Sequence, residues 1–252
     1  GYSVSLNNDG TRVAIGAPTS IASNAFMSAT DVGLVRIYNK VTITSAGTAS
    51  VGNGISLSIS SLSHSLSSGD KIKFINGGIL TLTSSASSGA TTLSGDLTTA
   101  DITNSLEGIV WTKLGSDITG NSGELFGNSV SLNNDGTVVV IGATGRINSG
   151  GSELTTRGLV RIFNYSNSSW SQIGSDIIGE NIQEKFGSST TINNNGTLVA
   201  IGAVNAGDLA QTSVDNSRGT VRIYNKVTVT SANIAFIGVG VFLNISSLSQ
   251  VL

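Results

Sequence analysis

The sequence predicts an all-β protein built from repeated four-stranded antiparallel meanders, and three observations support this prediction. First, one phrase occurs three times, as GYSVSLNNDGTRVAIGA from Gly1, GNSVSLNNDGTVVVIGA from Gly127 and GSSTTINNNGTLVAIGA from Gly187. Second, each copy is followed by a further phrase, GLVRIYN, GLVRIFN or GTVRIYN. Third, these phrases are rich in β-branched residues and are separated by turns that contain glycine, which is typical of strands and hairpins.

The length of the repeat indicates the architecture. Asp135 and Asn195 hold the same position in two copies and are 60 residues apart, whereas Asp9 and Asp135 are 126 residues apart. The first unit therefore holds about 66 additional residues. A repeat that is longer than a solenoid turn and contains several strands predicts a β-propeller or a similar array.

Each unit is expected to contain four strands. In the second unit SVSLNN alternates and leads into a hairpin turn at residues 134–136. TVVVIGA is almost entirely apolar, which favours a central strand covered on both faces. GLVRIFN supplies the third strand, and WSQIGSDIIG from Trp170 supplies the fourth. Four antiparallel strands joined in sequence order make one propeller blade.

The additional residues of the first unit interrupt the connection between its third and fourth strands. They begin VTITSAGTASVGNGISLSISSLSHSL, and the chain ends on VTVTSANIAFIGVGVFLNISSLSQVL at a constant offset of 186 residues. The alternation of KIKFI and ILTLT about residues 76–78 predicts a small β-barrel or sandwich. We therefore expect a chain that is cut within a second insert and forms an incomplete ring of blades.

These repeats define the expected segments. In chain order they are strands one to three of a first blade (1–40), an inserted small β-domain (41–110), strand four of the first blade (111–120), a second blade (121–179), strands one to three of a third blade (180–226) and the start of a second, truncated insert (227–252).

The order Phe-Gly, SVSLNNDGT, VAIGA, GxVRIYN and WxxxGSDI resembles the FG-GAP type of β-propeller repeat, in particular its bacterial and algal surface-protein branch. The resemblance covers everything except the inserts. It implies a propeller blade and not an enzyme. Within the first insert, SLSSGDKIKFINGGILTLTSSASSGATTL resembles small β-domains appended to phage and surface proteins.

Composition argues against several classes of partner. The chain has no Cys, which excludes a disulfide framework and a thiolate metal site. Its net charge of −2, with 11% charged residues, gives no attraction to nucleic acid. It contains no run of eighteen apolar residues, so we expect no membrane insertion in this segment, and no signal peptide is present in it. We expect an extracellular or cell-surface location.

The resemblance also raises the question of calcium. FG-GAP repeats of integrin-like proteins often carry a loop similar to D-x-D-x-D-G-x-x-x-D, because a hard cation needs several carboxylates. Here the three loops supply only Asp9, Asp135 and Asn195 at the equivalent position. The pattern therefore favours hairpin turns and no cofactor, with Asp9 and Asp135 as the candidate metal ligands if calcium binds.

No catalytic residue is expected. His64 is the sole imidazole, and its counterpart in the second insert is Gln250, so we interpret it as an exposed loop residue. Acids before Phe-Gly are interpreted as part of a mixed solvated rim with neighbouring cations: Glu124, Glu180 and Glu184. Charges repeated in the strands are interpreted as scaffold, forming ion pairs between blades or stacking on Tyr or Trp: Arg36, Arg161, Arg222, Asp117 and Asp176.

The loops between strands two and three are the expected ligand-binding elements, because their sequences differ between copies whose strands agree. The candidate ligand-contacting residues are Asp31, Arg146, Glu153, Arg157, Asp208, Asp215 and Arg218. The inserts are expected on the opposite side, with the Asn-Asp-Gly turns, as spacers or secondary contacts.

The sequence thus predicts a non-enzymatic extracellular scaffold for adhesion or for binding a ligand or protein. Its partners would be a protein or glycan at the cell surface and further blades of the same chain. Two alternatives are an accessory binding region of a large secreted hydrolase and a component of a phage or virion surface fibre.

Overall fold

A computed structural model describes residues 1–18, 32–145, 157–181, 183–205 and 219–226, together with the backbone of residues 229–236 and 241–248. These described residues form nineteen β-strands and no helix. Neighbouring strands within each sheet are antiparallel throughout. The all-β prediction is therefore confirmed.

The largest sheet combines the first repeat with the segment that interrupts it. Its strands are β1 (Ser3–Leu6), β2 (Arg12–Ala17), β3 (Leu34–Thr44), β4 (Gly52–Ser58), β5 (Lys71–Phe74), β6 (Ile79–Leu82), β7 (Thr92–Thr98), β8 (Glu107–Lys113) and β9 (Ile118–Thr119). Their order across the sheet is β1-β2-β3-β8-β5-β6-β7-β4, and β9 pairs with the start of β3.

The later repeats form smaller sheets. The second repeat contains β10 (Phe126–Leu132), β11 (Val138–Ala143), β12 (Leu159–Ser166), β13 (Ser169–Gln172) and β14 (Ile177–Ile178). The third contains β15 (Phe186–Ile192), β16 (Leu198–Ala203) and β17 (Thr220–Asn225). A final hairpin pairs β18 (Val229–Phe236) with β19 (Val241–Leu248).

The expected fourth strand is two short strands and not one. In the second repeat β13 and β14 both pair with β12, and the chain between them turns away at Gly174, whose φ is +69°. The first repeat has the same break between β8 and β9 at Gly115, whose φ is +74°. The prediction of a continuous strand was wrong because a positive φ, which glycine adopts readily, interrupts the ladder.

Residues 41–110 have a buried core of their own. Its members include Val41, Ile72, Phe74 and Val110, and it shares no residue with the clusters of the repeat sheets. KIKFI and ILTLT form two paired strands, β5 and β6, and the turn between them contains Gly77 at φ +92°.

A comparison of two repeats shows what the insert replaces. In the second repeat Ser166 pairs with Ser169 across a turn of two residues, Asn167 and Ser168, which both have positive φ. In the first repeat Val41 pairs with Val110 at the equivalent place. The insert therefore stands where a two-residue hairpin turn closes the second repeat.

The three repeat sheets pack face to face in chain order. Val130 and Leu132 of β10 are buried with Ala14, Val35 and Ile37 of the first repeat. In the same way Val140 and Val160 of the second repeat are buried with residues of the third, namely Phe186, Val199 and Ile201. Apolar side chains are thus buried on both faces of the middle sheet.

The Phe-Gly pair at the start of a repeat contacts the sheet of the preceding repeat. Phe126 and Phe186 are fully buried, and each forms an isolated parallel bridge with the previous repeat, to Gly33 and Gly158. The residue after each phenylalanine is a glycine at φ +90° or +85°, within a bulge of the first strand. Glycine is needed here because its backbone bulges against the preceding sheet in a left-handed conformation.

Candidate ligand-binding edge

The connections between strands two and three all leave the stack at one edge. Ala17, Ala143 and Ala203 end the second strands and pair with the first residues of the third strands. The loop before Phe126 reaches the same edge, since Gly145 N–H donates to the Glu124 carbonyl at 2.8 Å. We call this side the loop edge.

The opposite edge carries the Asn-Asp-Gly turns and the insert. Arg12 follows the first turn and pairs with Asn39 of β3. Lys40 N–H then donates to the Thr11 carbonyl at 2.7 Å, immediately before residues 41–110 begin. The segment 41–110 therefore begins at the edge opposite the one where β2 ends and β3 begins.

Only one predicted ligand-contacting residue is described by the structure. Arg157 is exposed at the loop edge, and its carbonyl accepts a hydrogen bond of 3.0 Å from Phe186 N–H. The other candidates, Asp31, Arg146, Glu153, Asp208, Asp215 and Arg218, lie outside the described residues.

Beneath the loop edge Arg161 forms a buried ion cluster. Its Nη1 and Nη2 donate to the two Glu124 carboxylate oxygens at 2.6 and 2.8 Å. Its Nε and Nη2 donate to Asp176 at 2.9 and 2.8 Å. The guanidinium also lies over the Phe126 ring, 5.5 Å from its centroid. Two bidentate contacts and a ring fix this side chain in a single orientation.

The electrostatics of this cluster favour permanent charge. Burial raises the pKa of Glu124, but hydrogen bonds from Arg161 and Asn121 outweigh it and bring that pKa below its usual value. The Arg161 hydrogen bonds lower the pKa of Asp176, and burial opposes them only in part. Both carboxylates are therefore ionised at neutral pH and are not available as proton donors for acid catalysis.

The third repeat contains a related cluster. Arg222 donates to Glu184, which is fully buried, and reaches the exposed Glu180 at 3.2 Å. Its guanidinium lies 5.3 Å from the centroid of the Phe186 ring. In the first repeat Arg36 pairs with Asp117 at 2.9 Å, and both side chains are partly exposed.

These contacts correct two interpretations of the sequence. Glu124 and Glu184 do not belong to a solvated rim, because both are buried and bonded to arginine. The repeated arginines of the second and third repeats lie over Phe and not over Tyr or Trp, and their ion pairs join elements of the same repeat. The missed signal is a Glu two residues before Phe-Gly that recurs together with the third-strand Arg.

Both candidate calcium ligands accept hydrogen bonds from threonines of their own turns. Asp9 Oδ1 accepts hydrogen bonds from Thr11 N–H at 3.0 Å and Thr11 Oγ1 at 2.6 Å, and Asp135 binds Thr137 in the same way. These threonine bonds lower the pKa of both carboxyls. Asn195 makes the equivalent Oγ1 contact of 2.6 Å with Thr197, so the turn works without a carboxylate.

Two further side chains bear on the site predictions. Asn133, the first residue of the Asn-Asn-Asp-Gly turn, was not predicted to be buried. It is buried, and its Oδ1 accepts a 2.8 Å hydrogen bond from Val138 N–H across the turn. His64 is exposed beside Ser63, as predicted for a loop histidine. Among the residues that the structure describes, no three or more His, Cys, Asp or Glu side chains are grouped to hold a metal ion.

Comparisons of the chain with protein families, with curated proteins and with solved structures find no match. Within the described ranges there is also no helix that is long and apolar enough to cross a membrane.

Proposed function

We propose that this chain is a non-enzymatic, extracellular β-propeller segment that binds a protein or glycan ligand through its loop edge. The observation that carries the proposal is that the strands of the repeats agree in sequence, whereas the loops at the loop edge do not. Three sheets repeat the same strands and pairings, whereas the loops that all leave at one edge have unrelated sequences. Variable loops on a constant scaffold are where binding specificity can change without disturbing the core.

The buried charges beneath the edge support a scaffold role. Arg161 is satisfied by Glu124 and Asp176, and Arg222 is held by Glu184. Because these groups fix the positions at which the loops begin and end, they need not contact a ligand themselves. This use of charge explains why the same residues recur in successive repeats.

We further propose that residues 41–110 form an inserted β-domain that serves as a spacer. Their buried core is separate from those of the repeat sheets. Bonds of 2.8 and 2.9 Å, from Ala46 N–H to Ser58 O and from Ser60 N–H to Thr44 O, join the ends of β3 and β4. These are the two outer strands of the segment in the sheet order β3-β8-β5-β6-β7-β4, which favours a small barrel. Its attachment at the edge opposite the loops keeps it away from the proposed binding surface.

The test compares two matched replacements. In one variant residues 146–156 become a short Gly-Ser turn, and in the other residues 42–109 become Asn-Ser, which copies the turn of the second repeat. Both proteins and the parent are applied to a glycan array and to intact cells after circular dichroism has shown β-structure. We expect the loop variant to lose binding and the insert variant to keep it. Loss of binding in the insert variant alone would contradict the proposal.

A further inference from the structure

The chain contains three Asn-Gly pairs, which begin at Asn53, Asn76 and Asn195. In such a pair the main-chain nitrogen of the glycine can attack the side-chain amide of the asparagine, because glycine carries no side chain that hinders the approach. All three asparagines are exposed, so exposure does not distinguish them. The hydrogen bonds of each pair do distinguish them.

The pair at Asn76 is held by its hairpin turn. Asn76 Nδ2 donates to the Asp101 carbonyl at 2.6 Å, and its Oδ1 accepts from Gly78 N–H at 3.0 Å. The attacking nitrogen of this pair belongs to Gly77, whose N–H donates to the Phe74 carbonyl at 2.9 Å. Both ends of the side-chain amide are therefore bound, and the glycine proton faces a carbonyl, which is a much weaker base than a carboxylate.

The pair at Asn195 is held in a similar way. Asn195 Oδ1 accepts from Thr197 Oγ1 at 2.6 Å. Gly196 N–H donates to the Asn193 carbonyl at 3.0 Å. This side chain is therefore also fixed by its turn, and its glycine proton also faces a carbonyl.

The pair at Asn53 lies in an irregular part of β4 and has different surroundings. The pairing of β4 with β7 shifts register between Gly52 and Ile55, so Asn53 and Gly54 stand outside the regular ladder. Within the described ranges the Asn53 side chain makes no hydrogen bond. Gly54 N–H donates to Asp96 Oδ1 at 2.8 Å, and Gly54 has a φ of +63°. Here no bond holds the side-chain amide, and the glycine proton faces a carboxylate.

We propose that the chain itself converts Asn53 to aspartate or isoaspartate, with the Asp96 carboxylate as the general base. A general base must lie about 2.6–3.2 Å from the atom that carries the proton it takes, and the 2.8 Å contact between Asp96 and Gly54 meets this requirement. Asp96 lies on β7, which pairs with β4, so the strand pairing holds the base in place. This modification site lies in the segment 41–110 and is independent of the proposed ligand binding at the loop edge.

The reaction forms one bond and breaks one bond before water enters. The Gly54 nitrogen attacks Cγ of Asn53 and forms the N–Cγ bond of a succinimide ring. The Cγ–Nδ2 bond breaks, and the proton from Gly54 passes through the Asp96 carboxylate to the departing nitrogen, which leaves as ammonia. A water molecule then opens the ring at either carbonyl, which gives aspartate or isoaspartate.

Conversion changes both the charge and the main chain at the bulge. Either product carries a new carboxylate next to the N–H group that binds Asp96, and neighbouring like charges on paired strands are destabilising. In isoaspartate the main chain also gains one atom, since it runs through the former side chain. Both changes are expected to weaken the pairing of β4 with β7.

The experiment incubates the whole chain at neutral pH and follows the three Asn-Gly pairs by peptide mapping with mass spectrometry. We expect Asn53 to be converted several-fold faster than Asn76 and Asn195 in the same molecules. In concentrated urea the three rates should become similar, because the contact between Asp96 and Gly54 is lost when the chain unfolds.

Two variants separate the base from the rest of the fold. Asp96→Asn keeps an oxygen that can accept from Gly54 N–H but removes the base, so it should slow the conversion of Asn53 several-fold without changing the other two pairs. The matched control is Asp70→Asn, because Asp70 Oδ2 also accepts a 2.8 Å bond, from Ser67 N–H, at a turn that contains no Asn-Gly pair. This control should leave the rate at Asn53 unchanged.

Three results would overturn the proposal. One is equal rates at the three pairs in the folded chain. Another is an advantage of Asn53 that persists in urea, which would assign it to the local sequence alone. The third is a rate at Asn53 that does not fall in an Asp96→Asn chain shown by thermal unfolding to be folded. The first two results need no variant, so they decide the matter even if Asp96→Asn does not fold.

Discussion

Arg161 is a charged residue that belongs to the core, and its surroundings explain why it recurs. A single guanidinium joins Glu124 of the loop edge, Asp176 between β13 and β14, and the face of Phe126. It therefore ties three separate parts of one repeat together. Removing one member leaves another buried charge without its partner, which costs more than the pair itself contributes.

Glu124→Gln should destabilise the fold by about 3 kcal/mol at pH 7, because it leaves Arg161 with one uncompensated buried contact. The control is Glu180→Gln, since Glu180 is 73% exposed. Urea unfolding with matched slopes measures both variants. Equal stability of the two variants would show that burial of Glu124 has no energetic consequence.

The effect of Glu124 should depend on pH in a defined direction. Folding lowers the pKa of the Glu124 carboxyl, so its ionised form stabilises the protein above pH 4.5, the usual pKa of this group. This stabilisation is lost as the pH falls through the lowered pKa. The difference in unfolding free energy between wild type and Glu124→Gln should therefore shrink as the pH falls from about 5 into the acid range. A constant difference over that range, measured by urea unfolding, would contradict the assignment.

Asp135→Asn should change stability by less than about 0.5 kcal/mol, because Asn195 already makes the equivalent turn in the third repeat. Calcium should not raise the melting temperature of either protein, since the Asp135 Oδ1 is committed to Thr137. Differential scanning calorimetry with and without calcium measures this. A rise of several degrees that Asp135→Asn abolishes would establish a metal site.

Some of these residue roles could be predicted and others could not. The turn at Asp135 follows from its sequence, because Asn, Asp and Gly favour that geometry. The burial of Glu124 could have been predicted only from the joint recurrence of its position and that of Arg161. Asn133 could not be predicted as a buried residue, because its role depends on reaching Val138 across a turn of particular shape.

At the scale of elements, the space around equivalent glycines shows which sheet faces are covered by a neighbouring sheet. Gly142→Ala should cost about 3 kcal/mol, because its Cβ would collide with the backbone of Gly187. Gly202→Ala should cost less than about 1 kcal/mol, because its Cβ meets only the rotatable Ser189 hydroxyl. Denaturant unfolding of the two variants measures the contrast. If both are equally tolerated, the second and third sheets do not pack as described.

Strand assignment from sequence succeeded where alternation is simple and failed where backbone geometry decides. β11 and β12 follow directly from their β-branched runs. The break between β13 and β14 was missed because Gly174 and its neighbours are compatible with a strand pattern until the positive φ is known. The sequence pattern also could not predict which sheet packs on which. Alternation identifies the buried face of a strand but not the sheet that covers this face.

For the whole molecule, the insert should be removable without loss of the stack. Replacing residues 42–109 with Asn-Ser joins Val41 and Val110, which are already paired, and removes a core that the repeat sheets do not share. We expect hydrogen exchange in β10, β11 and β12 to remain as slow as in the parent. Faster exchange throughout these strands would show that the insert supports the stack.

The three repeats stack in chain order, and an intramolecular disulfide tests this arrangement most directly. Asn8 and Asn134 lie on adjacent sheets and are joined by a 3.2 Å backbone hydrogen bond, whereas Asn194 lies one sheet further on. A disulfide needs Cα atoms about 4.4–6.8 Å apart. Asn8→Cys with Asn134→Cys should therefore form a disulfide within the monomer at high dilution, and Asn8→Cys with Asn194→Cys should not. A monomer linked only between residues 8 and 194 would contradict the account.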